Sequence, residues 1–279
     1  MLVGLRSRKH IAPFDLVRPA SLEQACRALS ALGRNAVMAG GIDLIDRLKL
    51  GETVDRVVHL AGVPELSGIR RDGDAISIGA LTTHAEIVGD SLLAGLLPDL
   101  PAIWRGVANP RVRHTGTLGG NLMSALPHYD AAPALLALGA SAVVANIAGA
   151  VEALGLAGLG RRTGIILERV CIPVKSQRLL ADRTLHPIIS LYLGAEIESR
   201  AIRSARVAVG CAYAQPVVIE LPLSGVPVSA LGSDAAAVAR NAAASLAEPI
   251  SDGLASGSYR RRVIEVLTRR LLIKLGSQP

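Results

Sequence analysis

The sequence predicts an α+β protein of more than one domain, and three observations carry that prediction. Its 279 residues are 50% apolar but only 2% aromatic, so Ala, Val, Leu and Ile must build a core of ample size. Helix starts marked by capping boxes are interspersed with short strand-like runs through the first half. In the last third, strand-like runs come first and two helical stretches close the chain, a segregated order that suits an α+β unit. Disorder is excluded, because it needs low hydrophobicity and high net charge.

The elements follow in order. Ser21 and Gln24 form a capping box, and Leu22, Ala25, Cys26, Leu29 and Leu32 share one helical stripe that Gly33 stops. Val37, Met38 and Ala39 read as a short buried strand, broken by Gly40 and Gly41. Asp43 starts a second helix through Leu50, ended by Gly51. Strands are expected at 56–60 and 75–80, the second after the Asp72-Gly73 turn, and Thr83 with Glu86 repeats the capping-box pattern. A helix is expected near 95–107, then a polar loop with Arg111, Arg113 and His114 leading into a glycine-rich turn at 117–121. The charge-free stretch 131–151 has the length of a membrane span, but it reads better as helix 131–138, a turn at Gly139 and strand 142–147. Strand 165–172 closes at Pro173, a domain boundary. Strands at 187–193 and 205–213, a weaker one near 217–221, and helices at 234–246 and 258–275 complete the chain. Val207, Val209, Cys211 and Tyr213 alternate, which makes Cys211 a core residue.

Composition also excludes function classes. Scattered aromatics give no stacking platform for single-stranded nucleic acid. The net charge of +7 is diffuse, concentrated only at Arg6–His10 and in the arginine-rich C-terminal helix, and reads as solvated surface, with neither nucleic acid nor membrane as partner. Cys26, Cys171 and Cys211 are far apart and match no zinc pattern or disulfide framework, which predicts a reducing compartment, the cytoplasm. No secretory signal is expected, since no long apolar stretch follows the charges of residues 1–12.

The dinucleotide and P-loop fingerprints GxGxxG and GxxxxGK[ST], and the catalytic motifs HExxH and GxSxG, are absent. Two glycine-rich turns remain. Ala39, Gly40, Gly41, Ile42 and Asp43 join a strand to a helix start, where successive N–H groups and the helix dipole can meet an anion. Thr117, Leu118, Gly119, Gly120 and Asn121 offer a hydroxyl, an amide and two bare backbone units. Asp130 follows, either as the cap of helix 131–138 or as an acceptor for sugar or ribityl hydroxyls. Together the turns suggest a dinucleotide whose diphosphate is gripped from two sides. No residue is singled out as a general acid, general base or metal ligand; His84, His114 and His128 read as structural.

The chain resembles the FAD-binding medium subunit of molybdenum hydroxylases, the group of carbon monoxide dehydrogenase and of the xanthine dehydrogenase flavin domain. The matching stretches are RPASLEQACRAL (18–29), AGGIDLIDRLKLG (39–51), IGALTTHAEI (78–87), ANPRVRHTGTLGGNL (108–122), DAAPALLALGA (130–140), ARVAVGCAYAQPV (205–217) and SYRRRVIEVLTRRLL (258–272). The resemblance implies an α+β, PCMH-type fold like that of vanillyl-alcohol oxidase. Two FAD-binding subdomains (1–55 and 56–174) would be followed by an α+β C-terminal domain (175–279). It implies that Met38, Ala39, Gly40, Gly41, Ile42 and Asp43 contact the adenine-side diphosphate. Thr117, Leu118, Gly119, Gly120 and Asn121 would form the second diphosphate turn. Asp130 would lie near the flavin's polar chain, Leu167 would make an apolar contact after the GRRT segment (160–163), and Lys175 would lie near the flavin ring. Ile42 stands where the family has Thr, His or Ser, and the stretches before GRRT and before Lys175 are short. The implied function is electron transfer: a large molybdopterin subunit oxidises substrate, a small subunit with two [2Fe–2S] clusters relays electrons to FAD here, and the flavin passes them on. A dimer of heterotrimers is implied. Two other readings use the same residues, a stand-alone flavin oxidoreductase and a scaffold or maturation subunit with weakened FAD binding.

Overall fold

The computed structural model describes residues 10–159 and 162–277. Most of the basic cluster at residues 6–10, and Gly160 and Arg161 of the GRRT segment, lie outside the described residues.

Three sheets organise the chain. The first is small and parallel, in the order β1-β3-β2: β1 (Asp15–Val17) leads through α1 (Leu22–Ser30) to β2 (Asn35–Met38), then through α2 (Ile42–Lys49) to the central β3 (Arg56–His59). Ser21 caps α1 by accepting the Gln24 N–H, while the Gln24 side chain accepts the Ala20 N–H. Leu32 does not continue the apolar stripe. The helix stops at Ser30, where the backbone turns extended at Ala31, and Leu32 is 99% exposed. The expected division at residue 55 falls one residue before β3, which the sheet holds between its two partners.

The second sheet has five strands in the order β4-β5-β8-β6-β7, all pairs antiparallel. It comprises β4 (Ile69–Asp72), β5 (Ala75–Gly79), β6 (Ser141–Asn146), β7 (Val151–Gly155) and β8 (Ile165–Pro173). Between β5 and β6 lie six helices. Thr83 opens α3 (His84–Gly89) with a complete capping box. The helix expected near 95–107 is two, α4 (Ser91–Leu96) and α5 (Asp99–Trp104). Pro98 separates them, because proline lacks the N–H and crowds the preceding turn. The expected polar loop is α6 (Pro110–Thr115), with Asn109 as its cap and proline at its first position, where the missing N–H costs nothing. Then come α7 (Leu118–Ser124) and α8 (Ala131–Ala137). The helices and one face of this sheet share an aliphatic core around Ile76, Leu118, Leu135 and Val170.

The third sheet is antiparallel, in the order β12-β11-β10-β9, with β9 (Gln177–Arg183), β10 (Ser190–Glu198), β11 (Ala201–Gly210) and β12 (Val217–Leu221). Leu191, Leu193, Val207 and Val209 turn one face onto α9 (Leu231–Ser245) and α10 (Gly257–Gly276). The other face meets α8 so closely that a Cβ on Gly194 would lie 1.9 Å from the Ala137 carbonyl oxygen. The alternation over 207–213 ends early. β11 stops at Gly210, and Cys211, still buried, takes φ 66° so that its N–H donates to the Pro127 carbonyl (3.0 Å). Among the described residues no helix is long and apolar enough to cross a membrane.

Candidate functional site

β2 delivers the chain into the first glycine turn. Gly41 sits at φ 78°, a left-handed conformation that side chains resist, and precedes α2 with no side-chain cap. The N–H groups of the first turn of α2 have no intrahelical acceptors, so they form a ready anion site. Gly40 serves packing instead. A Cβ there would lie 1.8 Å from the Thr115 carbonyl oxygen, so the turn presses against the end of α6. Ile42 stands half-exposed, and the Asp43 carboxylate meets Arg47 Nε one helical turn on (3.0 Å).

The second segment, expected as a glycine-rich turn, is the cap and opening of helix α7. Thr117 extends its backbone and its Oγ1 accepts the Gly120 N–H (3.1 Å), which is what a good N-cap does. The Leu118 and Gly119 N–H groups donate to the Thr82 and Ala80 carbonyls (2.9 and 2.8 Å). They are therefore spent on bracing the helix to the end of β5. Gly119 is needed for that contact, since its Cβ would lie 2.8 Å from the Ala80 Cβ, whereas Gly120 would meet only its own cap hydroxyl. Upstream of the turn, Arg113 is used internally: its Nη1 donates to the Val107 and Ala108 carbonyls.

Two cavities lie on either side of this meeting point. The larger, about 680 Å³, is walled by β2 and α2 on one side and by the start of β8 on the other. The smaller, about 230 Å³, runs from Gly40 and Ile42 past Thr117 and Asn121 to His128, Tyr129 and Asp130. They share Asp43, Gly120 and Ser124, so the two adjoin at these residues as the two parts of a trough. Of the residues expected from sequence, Ala39, Asp43, Gly119, Gly120 and Leu167 line the larger cavity. Gly40, Ile42, Asp43, Thr117, Gly120, Asn121 and Asp130 line the smaller. The Oδ1 atom of Asn121 is buried with no hydrogen-bond partner. Met38 packs with α2 beneath the turn, Leu118 is wholly buried in the second core, and Gly41 shapes the backbone. Lys175 lines neither cavity; its ammonium pairs with Glu196 (2.9 Å) on β10.

Asp130 does not cap α8 with its side chain. Its carboxylate faces the third sheet, 3.2 Å from Arg183 Nη1 on β9, and is largely buried. Tyr192 of β10 is buried beside it; burial first, and then the Asp130 charge, push that hydroxyl's pKa well above the usual tyrosine range. Arg183 and Tyr192 cannot be read from the sequence, because their partner is more than 50 positions away and no local pattern marks them.

His84 lines the smaller cavity too. Trp104, the one tryptophan of the chain, donates its indole N–H to His84 Nδ1 (3.1 Å). The ring is buried, and that burial, with the Arg113 charge second, lowers its pKa to about 4. With Nδ1 accepting, the neutral ring carries its proton on Nε2. The sequence places His84 inside a capping box but does not mark its tryptophan partner, 20 positions on. Among the described residues no group of three or more His, Cys, Asp or Glu side chains is arranged to hold a metal ion.

The chain is similar to known proteins over most of its length. Residues 12–174 match the family model described as the FAD binding domain in molybdopterin dehydrogenase. The chain is 31% identical to the nicotine 6-hydroxylase medium subunit of Paenarthrobacter nicotinovorans, over 93% of this chain and 96% of that one. It is 30% identical to the carbon monoxide dehydrogenase medium chain of Afipia carboxidovorans, over 92% and 94%. A chain of quinoline 2-oxidoreductase from Pseudomonas putida 86 superposes with a TM-score of 0.85 at 26% identity, over 96% of this chain and 98% of that one. With a family model spanning more than half of its length and relatives matched almost end to end, this chain belongs to the FAD-binding family of the molybdopterin dehydrogenases.

Proposed function

We propose that this chain is the electron-relay member of its complex. It holds FAD in the trough between the first two sheets, receives electrons from [2Fe–2S] clusters on a small partner chain and hands them to an external acceptor. A large partner chain with molybdopterin oxidises the substrate, and the assembly is a dimer of heterotrimers. The relatives named as medium subunits and medium chains support partners of this kind. Three separated cysteines cannot supply the four thiolates of a cluster, which supports cluster ligands on another chain. Free thiols also support the cytoplasm as the compartment.

The residues fit a dinucleotide. The uncapped first turn of α2, from Gly41 to Asp43, would face the diphosphate, with Ala39 and Gly40 shaping the approach. Thr117 and Asn121 would close over it from α7, and Gly120 leaves the room. Asp130 would accept hydroxyl protons of the flavin's polar chain, and Leu167 would give an apolar contact in the larger cavity. Ile42 offers no hydroxyl, so backbone N–H groups carry the anion there. When bound, FAD supplies the redox chemistry that no side chain here provides. The three sheets support three units close to 1–55, 56–174 and 175–279, with the first extended through His59 to keep β3 in its sheet.

The observation that carries this reading is the meeting of the uncapped start of α2 with Thr117, Gly120 and Asn121 of α7 around the two adjoining cavities. Replacing Asn121 with Leu keeps the volume and removes the amide. FAD affinity of that variant, followed by photometric titration, is expected to fall about tenfold, the worth of one hydrogen bond in a buried site. Unchanged affinity would remove Asn121 from the site.

A further inference from the structure

His84 opens α3 and stands on the wall of the smaller cavity, with only 2% of its surface exposed. One ring nitrogen has a partner, Nδ1, which accepts the Trp104 indole N–H (3.1 Å). The lowered pKa keeps the ring neutral near neutral pH, so its proton sits on Nε2. Among the described residues nothing accepts that proton, yet Nε2 is not one of the wholly enclosed atoms that lack a partner. The surface it keeps therefore belongs to the cavity that the ring lines. The Trp104 bond gives His84 its structural part, and the second nitrogen is left over.

The surroundings say what a fixed N–H suits there. A Cβ on Gly116 would lie 3.3 Å from His84 Cδ2, the carbon bonded to Nε2. The residue before it, Thr115, meets Gly40 of the first glycine turn, so the ring packs on the segment that touches the anion-accepting start of α2. Arg113, whose charge acts on the ring, adds positive potential to this wall. The two carboxylates of the cavity are engaged elsewhere, Asp43 with Arg47 and Asp130 with Arg183. Ile42 brings no side-chain donor from the α2 side. A lone N–H on a positive wall complements an anionic oxygen.

We propose that His84 is a phosphate-binding residue of the trough, its Nε2–H donating to an oxygen of the flavin-side phosphate and supplying the side-chain donor that Ile42 lacks. The inference rests on FAD occupying the trough and deepens that reading by giving the diphosphate a side-chain contact from α3.

The test is titration of the flavin-free full chain with FMN and with riboflavin, which differ by that phosphate, and with FAD. Two variants separate the two nitrogens. His84→Asn keeps an acceptor where Nδ1 meets Trp104 and loses the outer donor, whereas His84→Gln keeps an amide where Nε2 stands. In His84→Asn the preference for FMN over riboflavin is expected to fall about tenfold, with riboflavin affinity unchanged within about twofold. His84→Gln is expected to keep the preference within about threefold of wild type. FAD affinity is expected to follow FMN affinity across the three chains. An unchanged preference in His84→Asn would overturn the assignment, as would an equal loss for riboflavin or equal FAD affinity in all three chains. If His84→Asn does not fold, the proton resonance of the wild-type His84 Nε2–H decides: FMN is expected to move it, and a resonance left in place would overturn the assignment. Binding of neither FMN nor FAD would overturn the FAD reading and His84 with it. Binding of FAD with no effect of the variants would overturn only the latter.

Discussion

At the scale of single residues, His84 couples the candidate site to pH. Its pKa falls from 6.5 to about 4 because the ring is buried and Arg113 lies nearby, while its Nδ1 accepts from Trp104. The folded chain therefore resists a proton that the unfolded chain accepts. Stability from the neutral ring is fully present above pH 6.5 and is lost as pH falls towards 4. The loss is on the order of 3 kcal/mol at about 1.4 kcal/mol per pKa unit. Urea denaturation at a series of pH values checks this. The midpoint should drop between pH 7 and 4.5 by more in the wild type than in His84→Gln, and equal drops would count against it. Trp104 fluorescence reports the same event, since a protonated Nδ1 can no longer accept the indole N–H. At this scale the sequence was partly legible. It marked His84 only through a capping pattern, which points to a structural ring. Arg183 owes its significance to what it reaches in space, which no linear pattern records.

At the scale of elements, adjacent glycines divide the labour. Gly119 packs α7 onto β5, where a Cβ would sit 2.8 Å from Ala80, while Gly120 faces the trough. Gly119→Ala is expected to destabilise the fold by about 1–3 kcal/mol through overpacking, seen as a lower melting temperature. Gly120→Val is expected to leave a folded chain with FAD affinity reduced at least about tenfold, as a branched side chain intrudes on the trough. The reverse pattern would contradict the assignment. In the sequence both residues look like one glycine turn, because Gly-Gly ordinarily signals a break. Thr117, a cap, turns the same residues into a helix start. Helices with clear caps, such as α1 and α3, were legible, as were the strongly apolar strands β5 and β8. The short or exposed strands β1, β4, β7 and β9 were not, since each is too brief or too polar to show a period. Their pairing partners define them.

At the scale of the whole molecule, the C-terminal sheet braces the segment that carries Asp130 from behind. Arg183 and Tyr192 reach across to Asp130, Cys211 holds Pro127, and α8 packs against β10 through Gly194. Arg183→Gln and Asp130→Asn are each expected to weaken FAD binding. The Arg183 effect should be only a few-fold, because its half-exposed guanidinium makes a solvent-screened pair. The double variant should bind no more weakly than Asp130→Asn alone, since the partner is already gone; fully additive losses in a titration would show that the two act separately. The aliphatic, aromatic-poor composition gains a meaning here. The apolar part of the trough wall is aliphatic, from Leu, Val, Ile and Ala beside polar groups such as Arg34, Arg47 and Glu52, with Tyr129 and His128 in edge contact (5.0 Å) at its far end.

Titration of the purified, flavin-free chain with FAD, followed in the flavin absorbance band, tests most directly whether the trough is a flavin site. Saturable uptake of one FAD per chain is expected, with a bound flavin spectrum and quenching of Trp104 fluorescence. A chain that stays colourless and takes up no FAD would contradict it.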